Sequence, residues 1–230
     1  MVRYEPKWIL ADFLRARITD PRTRLASTSD TFTATNDQTS YTLTPTTGKR
    51  VHSITAVTVA GVTQSKWGEY YIDTQNQKMI LVTGATTGQT VIVTYLEGTT
   101  DWIYPDKPNE SLAATSYPRI SIMIITSPGN RQGKYDADVE YNIHFQVDVW
   151  AAEGQTFTIS GKVYEGDELT HLLGMLVCEV LRRYEDDMYP KMYDYQPITG
   201  PRDLPFDKDH GVFRSTVEFK LKTLNLGVNL

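Results

Sequence analysis

A single cysteine, Cys178, leaves this chain without any intrachain disulfide, so packing and hydrogen bonding have to supply its stability. The thiol falls beside a run of helix-spaced apolar residues, where a small buried hydrophobe is expected rather than a nucleophile. Long apolar runs are missing as well. No stretch approaches the roughly 20 residues that span a bilayer, and the mean hydropathy is −0.37. No membrane partner is therefore expected. The opening residues, Met-Val-Arg-Tyr-Glu-Pro-Lys-Trp, lack the apolar centre of a secretory signal, which points to folding in a reducing cytoplasm. Basic residues are in deficit, 23 Lys and Arg against 28 Asp and Glu, for a formal charge of −5. That balance argues against a general phosphate-binding surface but permits a surface past which DNA slides without sticking.

Signatures of catalysis are also absent. The sequence contains no G-x-x-x-x-G-K-[ST], G-x-S-x-G, H-E-x-x-H or C-x-x-C. His52, His144, His171 and His210 are far apart in the chain, and solvated or capping roles are expected of them rather than metal ligation. Acids cluster at Asp136/Asp138, Glu185-Asp186-Asp187 and Asp207/Asp209. A glycosidase needs two carboxylates across a cleft, whereas three adjacent acids after a helix usually form a solvated run. Their position at a helix C-terminus is mildly unfavourable for the dipole. The expectation is no catalytic residue, no metal and no cofactor.

What the chain does contain is clear periodicity. In Val139-Glu-Tyr-Asn-Ile-His-Phe-Gln-Val-Asp-Val149 the odd positions are apolar or aromatic and the even ones polar, which predicts a strand with one face on a core and one face wet. After a loop, Leu169, Leu172, Leu173, Leu176, Val177 and Val180 recur at helical spacing, with Asp167 placed to accept N–H groups at the helix start and Arg182 and Arg183 suited to its end. Residues 5–18 predict a first helix, with Pro6 in its first turn, Ile9, Leu10, Phe13 and Leu14 as its stripe, and Asp20-Pro21 ending the segment.

Between about residues 27 and 100 the composition shifts to Thr, Val, Gly and Ser. Short strands are predicted at Thr31–Ala34, Ser40–Leu43, Val51–Val59, Tyr70–Thr74, Lys78–Val82 and Thr90–Leu96, with Ala60-Gly61, Gln75-Asn76-Gln77 and Thr87-Gly88 at the reversals. This spacing suggests a small sandwich or barrel. A proline-containing connector follows, then an apolar strand, Tyr117–Ile125, expected to pair antiparallel with the Val139 strand. Beyond the second helix, a tyrosine-rich segment is expected to be broken by Gly200-Pro201 and Leu204-Pro205. Phe213 to Leu221 alternates as a last strand. The predicted class is α+β: a small antiparallel sheet packed with two helices from residues 1–26 and 101–230, carrying an inserted all-β sandwich-like module at 27–100. Tyr189, Tyr193 and Tyr195 suit a subunit or partner interface, and Arg15 and Arg17, with Arg22 and Arg24, suit an acidic neighbour or a phosphate.

The host order, with Tyr117-Pro-Arg-Ile-Ser-Ile, then Val139 through Val149-Trp-Ala151, then the helix from Asp167 and the strand Phe213–Leu221, resembles the tail terminator family of tailed bacteriophages, also called tail completion or tail-to-head joining proteins. The resemblance covers residues 5–18 and 117–224, and the 27–100 insertion departs from the family's short members. It implies a leading helix, a short antiparallel sheet and a second helix across it. It further implies a non-enzymatic virion protein of the neck, assembled in the host cytoplasm. Such a protein forms a homo-oligomeric ring, usually a hexamer, on the tail tube protein. The ring stops tube growth and meets the head connector or stopper protein while genomic DNA passes through the lumen. On that reading Asp136, Asp138, Glu185, Asp186 and Asp187 are candidates to face the lumen. Other readings are a different connector, stopper or neck decoration protein, a carbohydrate- or receptor-binding tail module, and a polysaccharide-degrading enzyme.

Overall fold

The computed structural model describes residues 6–66, 68–73, 76–105, 116–126, 129–131, 139–188 and 192–224. They divide into two compact units, one formed mainly by Thr23–Asp101 and the other mainly by Arg3–Arg22, Trp102–Asp186 and Lys191–Leu230. The class is mixed α+β.

The first unit is all β. Its strands are β1 (Ala26–Thr33), β2 (Gln38–Thr42), β3 (Arg50–Val59), β4 (Val62–Thr63), β5 (Tyr70–Asp73), β6 (Lys78–Ala85) and β7 (Thr90–Gly98). They form two antiparallel sheets ordered β1-β7-β3-β4 and β2-β6-β5. Alternation directs Val91, Val93 and Tyr95 of β7 inward, where Val51, Ile54 and Val57 of β3 meet Tyr41, Tyr70, Ile72, Met79 and Leu81 of the other sheet in one buried cluster. Two sheets sharing one apolar core make a β-sandwich. The reversal between β3 and β4 is Ala60-Gly61, both at positive φ (49° and 81°), the backbone that a two-residue hairpin turn demands.

Two carboxylates fasten the chain between β2 and β3 to this sandwich. Asp30 accepts hydrogen bonds from the Thr44 amide (2.7 Å) and hydroxyl (3.0 Å). Glu97 accepts from the Thr46 amide and hydroxyl (both 2.7 Å) and from Lys49 Nζ (2.9 Å). Burial and the neighbouring Asp30 push the Tyr95 hydroxyl up to about 12, so it remains a donor to Asp30.

The second unit contains α1 (Pro6–Arg15), β8 (Ile103–Tyr104), β9 (Arg119–Thr126), β10 (Gly129–Arg131), β11 (Val139–Ala152), β12 (Thr156–Ile159), β13 (Lys162–Glu165), α2 (Gly166–Tyr184), β14 (Tyr193–Asp207) and β15 (Val212–Leu224). The main sheet is ordered β14-β15-β11-β9-β8, with β10 paired to β11. All its pairings are antiparallel except β8 with β9. β9 and β11 pair as their alternation predicts, with Val147 opposite Ile122 and Val149 opposite Ile120. Ile143, Phe145, Val147, Val149, Val217, Phe219 and Leu221 are buried together on one face, and Phe145 stacks on Phe219 at 5.6 Å.

Helix α2 lies across β11, β14 and β15. Its buried side is Leu169, Thr170, Leu173, Gly174, Val177, Val180 and Leu181, and each fully buried Leu or Val contributes about 1.5–3 kcal/mol relative to exposure. Leu172 and Leu176, expected in the stripe, are only half-buried at its flank. Asp167 lies inside the first turn and accepts from the Glu168 amide at 3.0 Å. α1 packs against β8 and β9. The Arg17 guanidinium lies 4.2 Å from the Phe13 ring and 5.4 Å from the Tyr184 ring, tying the end of α1 to the end of α2.

Three sequence expectations change. The stretch ahead of α2, expected as a loop, contains the hairpin β12–β13, turned by Ser160-Gly161 at φ 52° and 82°. The segment expected to break at its prolines is instead one long strand, β14, which absorbs them with four register shifts against β15. As an end strand of this sheet it tolerates residues that cannot donate to a ladder. Third, the polar side of β11 is not uniformly wet, because Asp148 is completely buried there.

Candidate functional site

The expected interface and lumen residues are not gathered into one site. Asp136, Asp138 and Tyr189 lie outside the described residues. Glu185, Asp186 and Asp187 form a 3-10 turn with Met188 after α2. Glu185 is half-buried and accepts from the Tyr195 amide at 3.2 Å, while Asp186 and Asp187 are exposed.

Tyr193 and Tyr195 are half-buried in β14. The Tyr195 ring lies 5.6 Å from Phe219, and its hydroxyl pairs with the Cys178 thiol. Burial pushes both of these groups up, so each keeps its proton. Arg15 is buried, with Nη2 donating to the Ile103 carbonyl at 2.5 Å. Arg17 serves the aromatic contacts already described. Arg22 donates to the Tyr117 carbonyl and lies over the Phe157 ring at 5.2 Å. Within this second unit, therefore, the basic cluster is largely spent on the chain's own backbone and aromatics.

A concave surface lies on the flank of the second unit, where α2 leaves a groove against β13 and β14. It has a volume of about 370 Å³ and is lined by Lys162, Tyr164, Asp167, Glu168, His171, Leu172, Met175 and Asp203. One apolar group of the lining stands open to water: Met175 is 50% exposed. The charged groups are partly paired. His171 Nδ1 lies 3.1 Å from Asp203 Oδ2, and Lys162 Nζ sits 4.6 Å from the centre of the Tyr164 ring. Asp167, Glu168 and Asp203 give the rim an acidic excess over Lys162. Leu172 and Tyr164 supply aliphatic and aromatic walls, so the groove suits an apolar side chain that brings a hydrogen-bond donor.

The other notable group lies on the sheet face away from α2. Asp148 accepts from Arg214 Nη2 (2.6 Å) and from Gln146 Nε2 (3.0 and 3.1 Å), and its cross-strand neighbours are Ser121 and Thr216. The Arg214 guanidinium lies over the Trp150 ring at 4.8 Å. His144 Nε2 is 3.2 Å from Glu218 Oε2 on the same face. These contacts form a structural polar layer. They present no nucleophile activated by a neighbouring base.

Sequence reading missed the groove because its residues come from three elements, one of them the unexpected hairpin. The available signal was Thr156-Phe-Thr-Ile-Ser-Gly-Lys-Val-Tyr-Glu165, an alternating run folded about Ser-Gly. Among the described residues no group of three or more His, Cys, Asp or Glu is placed to hold a metal ion. No described helix is long and apolar enough to cross a membrane. No protein-family model matches the chain, and neither does any curated protein sequence.

Proposed function

We propose that this chain is a structural protein of the neck of a tailed bacteriophage. Its copies form a ring that caps the tail tube, ends its growth and joins the tail to the head connector while DNA passes through. The supporting observation is the architecture of the second unit. A leading helix precedes an antiparallel sheet, a second helix lies across that sheet, and a long final strand completes it, with the sandwich carried in the connection between α1 and β8. This is the order of elements that the resemblance to tail terminators implies. The acidic balance of −5 agrees with a lumen that repels phosphate and keeps DNA mobile.

The test is electron microscopy of virus particles assembled with this gene product depleted. Filled heads beside separate tails, particularly tails of uncontrolled length, are the expected result. Emptied heads with normal free tails move the protein to the head side of the joint, and normally tailed particles contradict a joining role.

One observation favours a second reading, a module that binds a neutral carbohydrate. The outer face of the sandwich carries Ser29, Thr31 and Thr33 of β1 with Ile92 and Thr94 of β7, without charge, and Ser29 Oγ is 2.9 Å from Thr94 Oγ1. Binding to uncharged glycans on an array, lost on Thr31→Lys, supports that reading over the first.

A further inference from the structure

The chain leaves the sandwich at the end of β7, passes through Thr99, Thr100 and Asp101, and enters β8 at Ile103. Thr99 and Thr100 are exposed, so little apolar burial holds this exit segment. His52 reaches it from β3, at the register shift against β7 between Val51 and Ser53. Its Nε2 lies 3.1 Å from the Gly98 carbonyl oxygen and its Nδ1 3.5 Å from Asp101 Oδ2. The His52 and Asp101 side chains are only 14% and 11% exposed, so salt and water screen the pair weakly. Gly98 is packed from its other side by the incoming chain, since a Cβ there would meet the Arg24 carbonyl oxygen at 2.5 Å.

Both oxygens that face His52 are acceptors. A neutral imidazole has one N–H and one lone pair, whereas the charged ring has two N–H groups and accepts nothing. A neutral ring donating from Nε2 to Gly98 turns its Nδ1 lone pair toward the Asp101 carboxylate. The other tautomer turns a lone pair toward the Gly98 carbonyl. Only the charged ring suits both neighbours. The other charged groups on the flanking stretches are engaged elsewhere or turned to solvent: Lys49 pairs with Glu97 at 2.9 Å, Lys66 donates to the Ile54 carbonyl at 2.7 Å, and Arg50, opposite Gly98, is exposed. We propose that His52 is a proton-operated latch, its charged ring pinning the exit segment 98–101 to β3 and its neutral ring releasing it. The latch lies wholly within the first unit and is independent of the ring reading above.

The test is nitrogen-15 NMR of the full chain at about pH 5.5 and about pH 8, either side of the range in which histidine changes charge. Ring correlations report the protonation state of His52, and backbone order parameters report the exit segment. At the lower pH the ring is expected to carry both protons, with order parameters at Thr99, Thr100 and Asp101 near the rigid value of about 0.85; at the higher pH they should fall below about 0.6. Two variants separate a latch from a general loosening, with unchanged amide shifts in the rest of the sandwich as the check on folding. His52→Ala should leave the segment free at both pH values. Asp101→Asn should hold it at both, because the asparagine amide can donate to Nδ1 of the neutral ring or turn its oxygen to the charged one. Order parameters that stay constant while His52 titrates overturn the latch. So does an Asp101→Asn segment that loosens as the wild type does, or a segment that stays rigid in His52→Ala.

Discussion

Glu97 is buried yet accepts three hydrogen bonds, led by Lys49 Nζ and followed by the hydroxyl and amide of Thr46. Together they hold its carboxyl down, from 4.5 to about 2. A depressed folded-state value stabilises fully above the unfolded value, and that contribution fades as pH falls from near 4.5 toward 2. Glu97→Gln is expected to cost about 1.5–3 kcal/mol near neutral pH, the worth of hydrogen bonds to a charged group. Urea unfolding at about pH 7 and about pH 3 checks this, since the gap between variant and wild type should narrow in acid. Asp148 presents a different case, because its strongest partner is a cation at 2.6 Å and its own side chain has no exposure. Arg214→Ala should cost about 3–5 kcal/mol by leaving a buried carboxylate without its counter-charge, whereas Arg214→Met combined with Asp148→Leu should recover most of that loss. If the double variant unfolds as readily as Arg214→Ala in urea, the cost comes from lost packing on Trp150 instead.

At the scale of elements, Gly174 sets how closely α2 approaches the sheet. A Cβ there would lie 3.2 Å from Pro201 Cβ and 3.4 Å from Val217 Cγ2. Alanine gains up to about 1 kcal/mol of helix propensity, but overpacking costs about 1–3 kcal/mol, and the Pro201 ring has little freedom to yield. Gly174→Ala is therefore expected to lower the melting temperature, and Gly174→Val to lower it further; a stabilised alanine variant would show that β14 gives way. The strength of periodicity decided which elements were legible in the sequence. β11 and β15 alternate cleanly, and α1 and α2 carry apolar stripes, so their types and approximate spans follow from the residues. β14 was hidden because Gly200-Pro201 and Leu204-Pro205 read as breakers, and only its place at the end of the sheet excuses them. Leu172 shows the limit for the site itself: its spacing predicts core, yet it lines a groove, because which flank of a stripe gets covered depends on strands distant in sequence.

For the whole molecule, the proposed ring makes electrostatics a functional matter. Asp186 and Asp187 are exposed just beyond α2, and on this reading they help line a DNA passage. Replacing both with lysine should leave assembly intact but slow DNA ejection, with the delay shrinking as salt screens the new charges; unchanged ejection would remove these acids from the lumen wall. The most direct test of the ring is negative-stain electron microscopy of the purified chain at high concentration. Closed rings of a single copy number, with a central hole wide enough for duplex DNA, are the predicted result. Solitary particles of about 26.1 kDa at every concentration would contradict it.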